Sequence, residues 1–359
     1  MKDFQDKKYS RGLTFLRIFP FLFLFNVLNP AATKAEKNKG MEEKRKAVKA
    51  QKIEGSESAA DYRKLQIEFY GGYTPISPAD FNLFADYEDK IQKFAYDDYF
   101  DYLQSQGQIL TWSQSQDGQR EKIKKAFPLG MRLKYRLNRT YAVSVGFRYI
   151  SAESDSDIDF QYIRHELFDE QYIEGLMYAP FSLSANAYIP QIGIHIIKTL
   201  TKAFTFEGFL AGGPMFVRCS YLSNWNYAWR VQGPGYAYTV INRAGLLEAK
   251  GTGIGIALDF GGRLEYAVTK ILAVFFEGSY AYQVAKKISG PGFEAQGDMS
   301  ESWDGRWGIK QEKMTAPWGE LEVEFPTNYW PIDSFSNSSR DFELGLSGFQ
   351  LKLGFAFRF

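Results

Sequence analysis

The last eleven residues, Phe349–Phe359, alternate without a break. Phe349, Leu351, Leu353, Phe355, Phe357 and Phe359 are large and apolar; Gln350, Lys352, Gly354, Ala356 and Arg358 lie between them. A period of two marks a β-strand whose faces meet different surroundings. The pattern recurs upstream. Lys64–Tyr73 sets Leu65, Ile67, Phe69, Gly71 and Tyr73 against Gln66, Glu68, Tyr70 and Gly72. Phe127–Leu137 sets six apolar residues against Arg132, Lys134 and Arg136, and a strand from about Thr140 to Tyr149 sets Tyr141, Val143, Val145 and Phe147 against Ser144, Gly146 and Arg148. Four more follow at about Asn186–Lys198, Ala203–Tyr221, Lys250–Val268 and Ile271–Ala285. Pro190 weakens the first of these locally. In the second, Gly212-Gly213-Pro214 predicts a bulge with a change of parity.

Eight strands result, and their connections alternate in length. Asn138-Arg139, Thr199–Lys202 and Thr269-Lys270 are short, whereas about 74–126, 151–185, 222–249 and 286–342 are long. This rhythm predicts an all-β, eight-stranded antiparallel up-and-down barrel. Three interleaved basic residues on one strand are hard to place in a soluble core, but they suit a polar barrel interior with the apolar face turned to lipid. A soluble barrel would show the same alternation with its faces exchanged.

The N-terminus adds a compartment. Residues 1–35 carry five basic residues up to Arg17, a short apolar run Ile18–Phe25, and then small residues up to Ala35, the plan of a secretory signal peptide. Residues 36–62 are rich in Lys and Glu, lack an apolar pattern, and predict a polar N-terminal segment ahead of a barrel at 63–359. Hydrophobic residues make up 45% and aromatics 17%, yet the mean hydropathy is negative, as strands with one apolar and one polar face require. The net charge is +1; removing residues 1–35 takes six Lys/Arg and two Asp/Glu and leaves 37 basic against 40 acidic. Near-neutrality offers nothing to nucleic acid. Cys219 is the single cysteine, so no internal disulfide exists.

Eight strands, four long connections and a terminal F-A-F-R-F resemble the small bacterial outer-membrane barrels, the OmpA transmembrane-domain, OmpX-like and OmpW-like families. The resemblance implies an integral outer-membrane location reached through the signal peptide, with the long connections extracellular, the short turns periplasmic, and residues 36–62 in the periplasm. It also implies contact with outer-membrane lipid and lipopolysaccharide. Phe355, Phe357 and Phe359 would be the signal read by the outer-membrane assembly machinery.

Three groups of residues are candidates for function. The interior-facing set is Glu68, Arg132, Lys134, Arg136, Arg148, His195, Glu207, Asp259, Arg263, Glu265, Glu277, Lys352 and Arg358. An eight-stranded barrel is just wide enough for side chains to fill it, and buried charges must pair. These residues therefore read as a salt-bridge plug, or alternatively as a narrow channel for a small or hydrophobic solute. The second group is the tryptophans, Trp112, Trp225, Trp229, Trp303, Trp307, Trp318 and Trp330, all in predicted loops. They predict an ordered aromatic cap able to bind an extracellular ligand. The third is a helix over Pro78–Gln104, with Phe81, Phe84, Tyr87, Ile91, Phe94 and Tyr102 near one face. His165 and His195 are the only histidines, and the sequence sets no serine beside either, so no enzymatic activity is expected, although some barrels of this size modify lipid with Ser and His. No calcium-loop spacing or Cys/His cluster occurs, and no cofactor or metal is expected. The resulting expectation is a structural or surface-binding protein with a plugged interior.

Overall fold

A computed structural model describes residues 64–166, 171–327 and 340–359. The predicted signal peptide, the segment 36–62, Trp330 and part of the last long connection lie outside the described residues. Eight strands pair in sequence: β1 (Leu65–Pro75), β2 (Lys125–Arg136), β3 (Tyr141–Ser156), β4 (Phe181–Thr199), β5 (Phe204–Gly233), β6 (Tyr236–Ala267), β7 (Leu272–Gln296) and β8 (Gly348–Arg358). Each is antiparallel to the next, and β8 returns to β1, so the pairings close a ring of eight strands. Closure leaves no free edge along the ring.

Register keeps like with like. Phe69 lies opposite Met131 and Phe355, all exposed, while Glu68 lies opposite Arg132 and Ala356, all buried. A one-residue slip would exchange the two faces. The three short connections share one device. Asn138 Oδ1 accepts the amides of Thr140 and Tyr141, both at 2.8 Å; Thr201 Oγ1 accepts those of Ala203 and Phe204; Thr269 Oγ1 accepts those of Ile271 and Leu272. Side-chain oxygens of this kind close tight turns by satisfying amides that the ladder leaves free. These turns all lie at one end of the ring, the lower end.

At the upper end the long connections are mostly β-structure, which corrects the loop boundaries read from sequence. β5 runs on to Gly233 and β6 starts at Tyr236, so the predicted loop 222–249 is a hairpin turning at 234–235. Upper β5 also pairs with Tyr172–Tyr178, which pairs with Asp159–Glu166, which pairs with Ile109–Asp117. Upper β7 pairs with Met299–Arg306, and Gly308–Ala316, Gly319–Thr327 and Arg340–Asp341 form a small second sheet. Alternation fades here because the outward face carries residues such as Asn226 and Arg230, while the hydrogen-bond ladder continues.

The expected bulge at Gly212-Gly213-Pro214 is also corrected. Register between β5 and both neighbours is unbroken there, and even-numbered residues face outward from Phe204 to Arg218. Gly213 answers Pro190 on β4 instead: a Cβ on Gly213 would lie 2.0 Å from the Pro190 carbonyl oxygen. Register shifts occur elsewhere, between Trp229 and Arg230 and between Lys286 and Ser289.

The predicted helix is present as α1 (Ala79–Gln92), a π-helical turn Lys93–Asp98, and α2 (Tyr99–Ser105). Among the described residues no helix is long and apolar enough to cross a membrane. Phe81 and Phe84 of α1 enter the main hydrophobic core, formed with inward-facing Ile150, Leu183, Ala187, Val217, Tyr221 and Ile288 of the ring wall. The core therefore lies in the upper part of the ring, and α1 covers it. Asn82 fixes the helix to the irregular segment leading down to β2, donating to the Ile123 carbonyl at 3.1 Å and accepting its amide at 2.9 Å.

Candidate functional site: the filled interior and the upper sheet

Among the described residues, the lower interior holds ten fully buried charges. Glu68, Glu207, Asp259, Glu265 and Glu277 face Arg132, Lys134, Arg148, Arg263 and Lys352, each no more than 1% exposed. Strand register sets several contacts directly, since Glu68 lies opposite Arg132, Glu207 opposite Arg263, and Glu277 opposite Lys352. Side-chain reach supplies the rest. Lys134 Nζ sits 2.8 Å from Glu68 and 2.7 Å from Glu207. Arg263 donates to Glu68 at 2.6 Å and also to Glu265. Arg132 bridges Glu68 and Glu277 at 3.5 and 3.2 Å, and Lys352 bridges Asp259 and Glu277, both at 2.9 Å. Arg148 donates to Asp259 at 2.5 Å and to the Gln350 amide oxygen at 3.0 Å. Rings pack among the cations, with the Arg263 guanidinium 4.1 Å from the centroid of Phe275.

The network is continuous rather than a set of pairs, so Arg132 answers Glu68 and Glu277, not the Glu207 and Glu265 that parity alone would allow. Arg358 reaches Glu265 from the lower rim, and Arg136 is half-buried near it. The fully buried charges thus balance five to five, and the two further basic residues of the interior-facing set, Arg136 and Arg358, sit at the rim. Polar partners outside the predicted set complete the contacts. Gln66 donates to Glu265 at 2.9 Å, and Lys352 donates to Ser279 at 3.2 Å. Their inward parity was the available signal; their partners were not, because Gln66 and Glu265 are 199 residues apart.

Folding places a serine beside His195. Ser144 Oγ lies 2.7 Å from Nε2, and Glu207 Oε1 lies 2.7 Å from Nδ1. The order matches a nucleophile, base and orienting acid. Its surroundings do not. His195 and Glu207 are 1% exposed and Ser144 7%, Glu207 is shared with Lys134, and Ser144 sits mid-ladder between Lys134 and Gly193, where backbone amides are committed to strand pairing. Free amides aimed at a developing oxyanion are the larger part of such catalysis. His165 is exposed, beside Tyr172, and joins no such group.

Above the charges the interior is apolar. Trp307, expected in a loop and counted among the surface binding candidates, is 1% exposed at the centre of this core, 5.7 Å from Phe84 and 5.3 Å from Phe342. It therefore cannot contact a ligand as an exposed residue. Phe84 stacks on Tyr221 at 4.2 Å, and the Tyr221 hydroxyl donates to Glu88 at 2.8 Å. Wall residues facing this region are small, including Ala185, Ala187, Ala285, Gly251 and Gly253, which leaves room for the aromatic rings. That run of small inward residues is a sequence signal that could have announced this aromatic packing. The return chain clamps it: Arg340 donates to both Asp80 carboxylate oxygens at 2.7 Å, and Asp80 also accepts the Glu343 amide at 2.8 Å. The Asp80 hydrogen bond holds the Arg340 guanidinium above its ordinary pKa.

Other tryptophans pack the upper sheet. Trp112 Nε1 donates to Asp101 at 3.0 Å, and Trp318 Nε1 donates to the Phe94 carbonyl at 3.1 Å. Trp229 stands edge-on to Tyr162 at 6.3 Å, and Trp225 is half-buried over Gly245. Trp303 lies on the strand Met299–Arg306. A second cluster, Phe100, Leu103, Ile109, Phe160 and Tyr162, joins α2 to this sheet. Beside it opens a cleft of 440 Å³, lined by Gln116, Asp117, Asp159, Phe160, Met177, Tyr178, Asn226 and Tyr227 among others. Partial burial, with the Asp98 charge next, raises the pKa of Asp97 in the π-helical turn.

No protein-family model matches the chain, and no curated protein does. Among solved structures, the translocator domain of the autotransporter NalP from Neisseria meningitidis aligns over 89% of this chain and 98% of its own, at 7% identity and a TM-score of 0.16. A deltaS2 mutant of the TodX monoaromatic hydrocarbon channel aligns over 83% and 91%, at 6% identity and a TM-score of 0.17. Scores this low carry no argument, and the functional reading rests on the geometry above.

Proposed function

We propose that the chain is an integral outer-membrane β-barrel, plugged along its axis, whose function is structural or surface-binding and lies at its upper end. The observation that carries this reading is the filled interior: a balanced layer of ten buried charges beneath an apolar core sealed by α1. Channels need a polar path of adequate width, and here charged side chains occupy the lower part and aromatic rings the upper.

The outward surface supports the membrane. Leu129, Met131, Leu133, Val145, Ile192, Ile194, Ile256 and Leu258 are all exposed. Tyr135, Tyr141, Phe204, Tyr266 and Phe357 edge this band below, and Tyr73, Phe127 and Phe216 edge it above. From Phe127 to Tyr135 the strand advances about 26 Å, which a tilt of roughly 40° reduces to about 20 Å, near the apolar height of such barrels. The short turns then face the periplasm. The upper cleft, with tyrosines and amides on its walls, suits a saccharide or peptide of the cell exterior. We read Ser144, His195 and Glu207 as packing rather than catalysis.

Spin labels on a refolded chain in bilayers test the reading. A label at Leu258 should collide with oxygen and be shielded from a water-soluble nickel complex; accessibility to nickel would remove the membrane reading. A fluorophosphonate should leave Ser144 unlabelled. A glycan array should show binding that Tyr227→Ala abolishes without unfolding the protein. The alternative, a channel for a small or hydrophobic solute, requires α1 to leave the mouth and the charge layer to part.

A further inference from the structure

Strand β7 breaks its own alternation at Lys286 and Lys287. Lys286 lies opposite Ile254 and Ser289 opposite Thr252, so β7 carries one more residue than β6 between these points. Lys287 takes φ 56°, the one positive φ among the described non-glycine residues. An unbranched residue in this region is uncommon and strained. In a regular strand Lys287 would point inward, where Ile288 now fills the core; the bulge instead exposes both lysines on the outer wall.

They join a built patch. Tyr188, Phe216, Ile254 and Lys286 follow one another across β4, β5, β6 and β7 as register partners. Arg218 stands next to this row, with its guanidinium 6.0 Å from the Tyr188 ring centroid. Together they border a cleft of 640 Å³ lined by Tyr188, Phe216, Arg218, Ile254, Lys286 and Lys287 among others. Its floor is apolar and its upper rim cationic. Glu343 offsets one charge, lying 2.9 Å from Lys286 with both side chains well exposed. Among the described residues no carboxylate is within ion-pair reach of Arg218 or Lys287.

We propose that this cleft docks a phosphorylated lipid headgroup of the surrounding leaflet. The inference rests on the reading that the ring spans the membrane. The cations stand where the apolar band ends, at the depth of headgroup phosphates, and the apolar floor continues toward the acyl chains. Arg218 and Lys287 supply the charge-assisted donors for phosphate, and Phe216 and Ile254 meet the chain. Floor and rim together commit the site to a lipid rather than to free phosphate.

Native mass spectrometry of the refolded mature chain tests this, using bis-phosphorylated lipid A, its dephosphorylated form and phosphatidylglycerol as probes. The wild type should retain phosphorylated lipid A about tenfold more strongly than the dephosphorylated form. The variant Arg218→Gln with Lys287→Gln should lose that preference. Lys287→Gly removes the charge where glycine adopts the backbone freely, so it should fold at least as well as wild type and still weaken the preference. Equal retention of both glycolipids by the wild type, or an unchanged preference in Lys287→Gly, overturns the proposal. Stronger retention of phosphatidylglycerol than of lipid A, weakened in Lys287→Gly, would support docking of a phosphorylated headgroup with a glycerophospholipid as its source. The spin label at Leu258 separates the two failures: a lipid-exposed label with no phosphate preference removes this site alone, whereas a water-exposed label removes the membrane reading beneath it.

Discussion

The two halves of the ring interior are filled by opposite chemistries. The lower half is held by directed contacts: each buried carboxylate meets one or more cations, some set by strand register and the rest by reach across the ring. The upper half is held by undirected contacts among rings and small wall residues, with α1 as the lid. Both answer the same problem, a ring just wide enough to be filled by side chains. They differ in tolerance. Removing one partner from a charge network strands the others, whereas an apolar core accepts exchanges that keep its volume.

That contrast can be broken at either end. Glu68→Ala leaves Arg132, Lys134 and Arg263 short of counter-charge, and should cost about 3–5 kcal/mol in urea unfolding of the refolded protein. Adding Lys134→Met should recover part of the loss, since the pair is then removed together; no recovery would mean that Lys134 is held chiefly by Glu207. In the upper half, Phe84→Ala should cost about 3 kcal/mol through the cavity left against Tyr221 and Trp307, and Phe84→Leu clearly less. If Phe84→Leu matched the alanine variant, shape rather than volume would govern this half too.

Two smaller effects sharpen the picture at the lid. Asp80→Asn weakens a half-exposed bidentate link to Arg340 and should speed hydrogen exchange of α1 amides by an amount equivalent to about 1–2 kcal/mol. Asp97 gives the smallest effect. Its pKa is raised in the folded protein, so the native state binds its proton more tightly than the unfolded chain does. Stability of this region therefore falls as pH rises from the ordinary carboxylate range through the raised value. Asp97→Asn should remove that dependence and slightly stabilise the region at neutral pH, with no difference from wild type in acid.

The ring was legible because its signal is local. In Phe349–Phe359 and Phe127–Leu137 each residue declares its face, and the buried and exposed positions follow that parity. What escaped was set by distant partners. Gly213 of β5 answers Pro190 across the ladder, not a bulge of its own. β5 and β6 rise beyond Tyr221 and Lys250 as a ladder whose outward face no longer alternates. The interior charges could be named from their strands, but their partners depend on closure of the ring. Trp307 looked like a loop residue because its neighbours are polar; it is buried because Phe81, Phe84 and Phe342 meet it from separate segments.

Single-channel recording from the refolded chain in a planar bilayer tests the central claim most directly. A plugged ring predicts silence, with conductance appearing only when the lid and the charge layer are broken together, as in Phe84→Ala combined with Glu68→Ala. Discrete current steps from the unmodified chain would contradict the account and make the interior charges the lining of a pore.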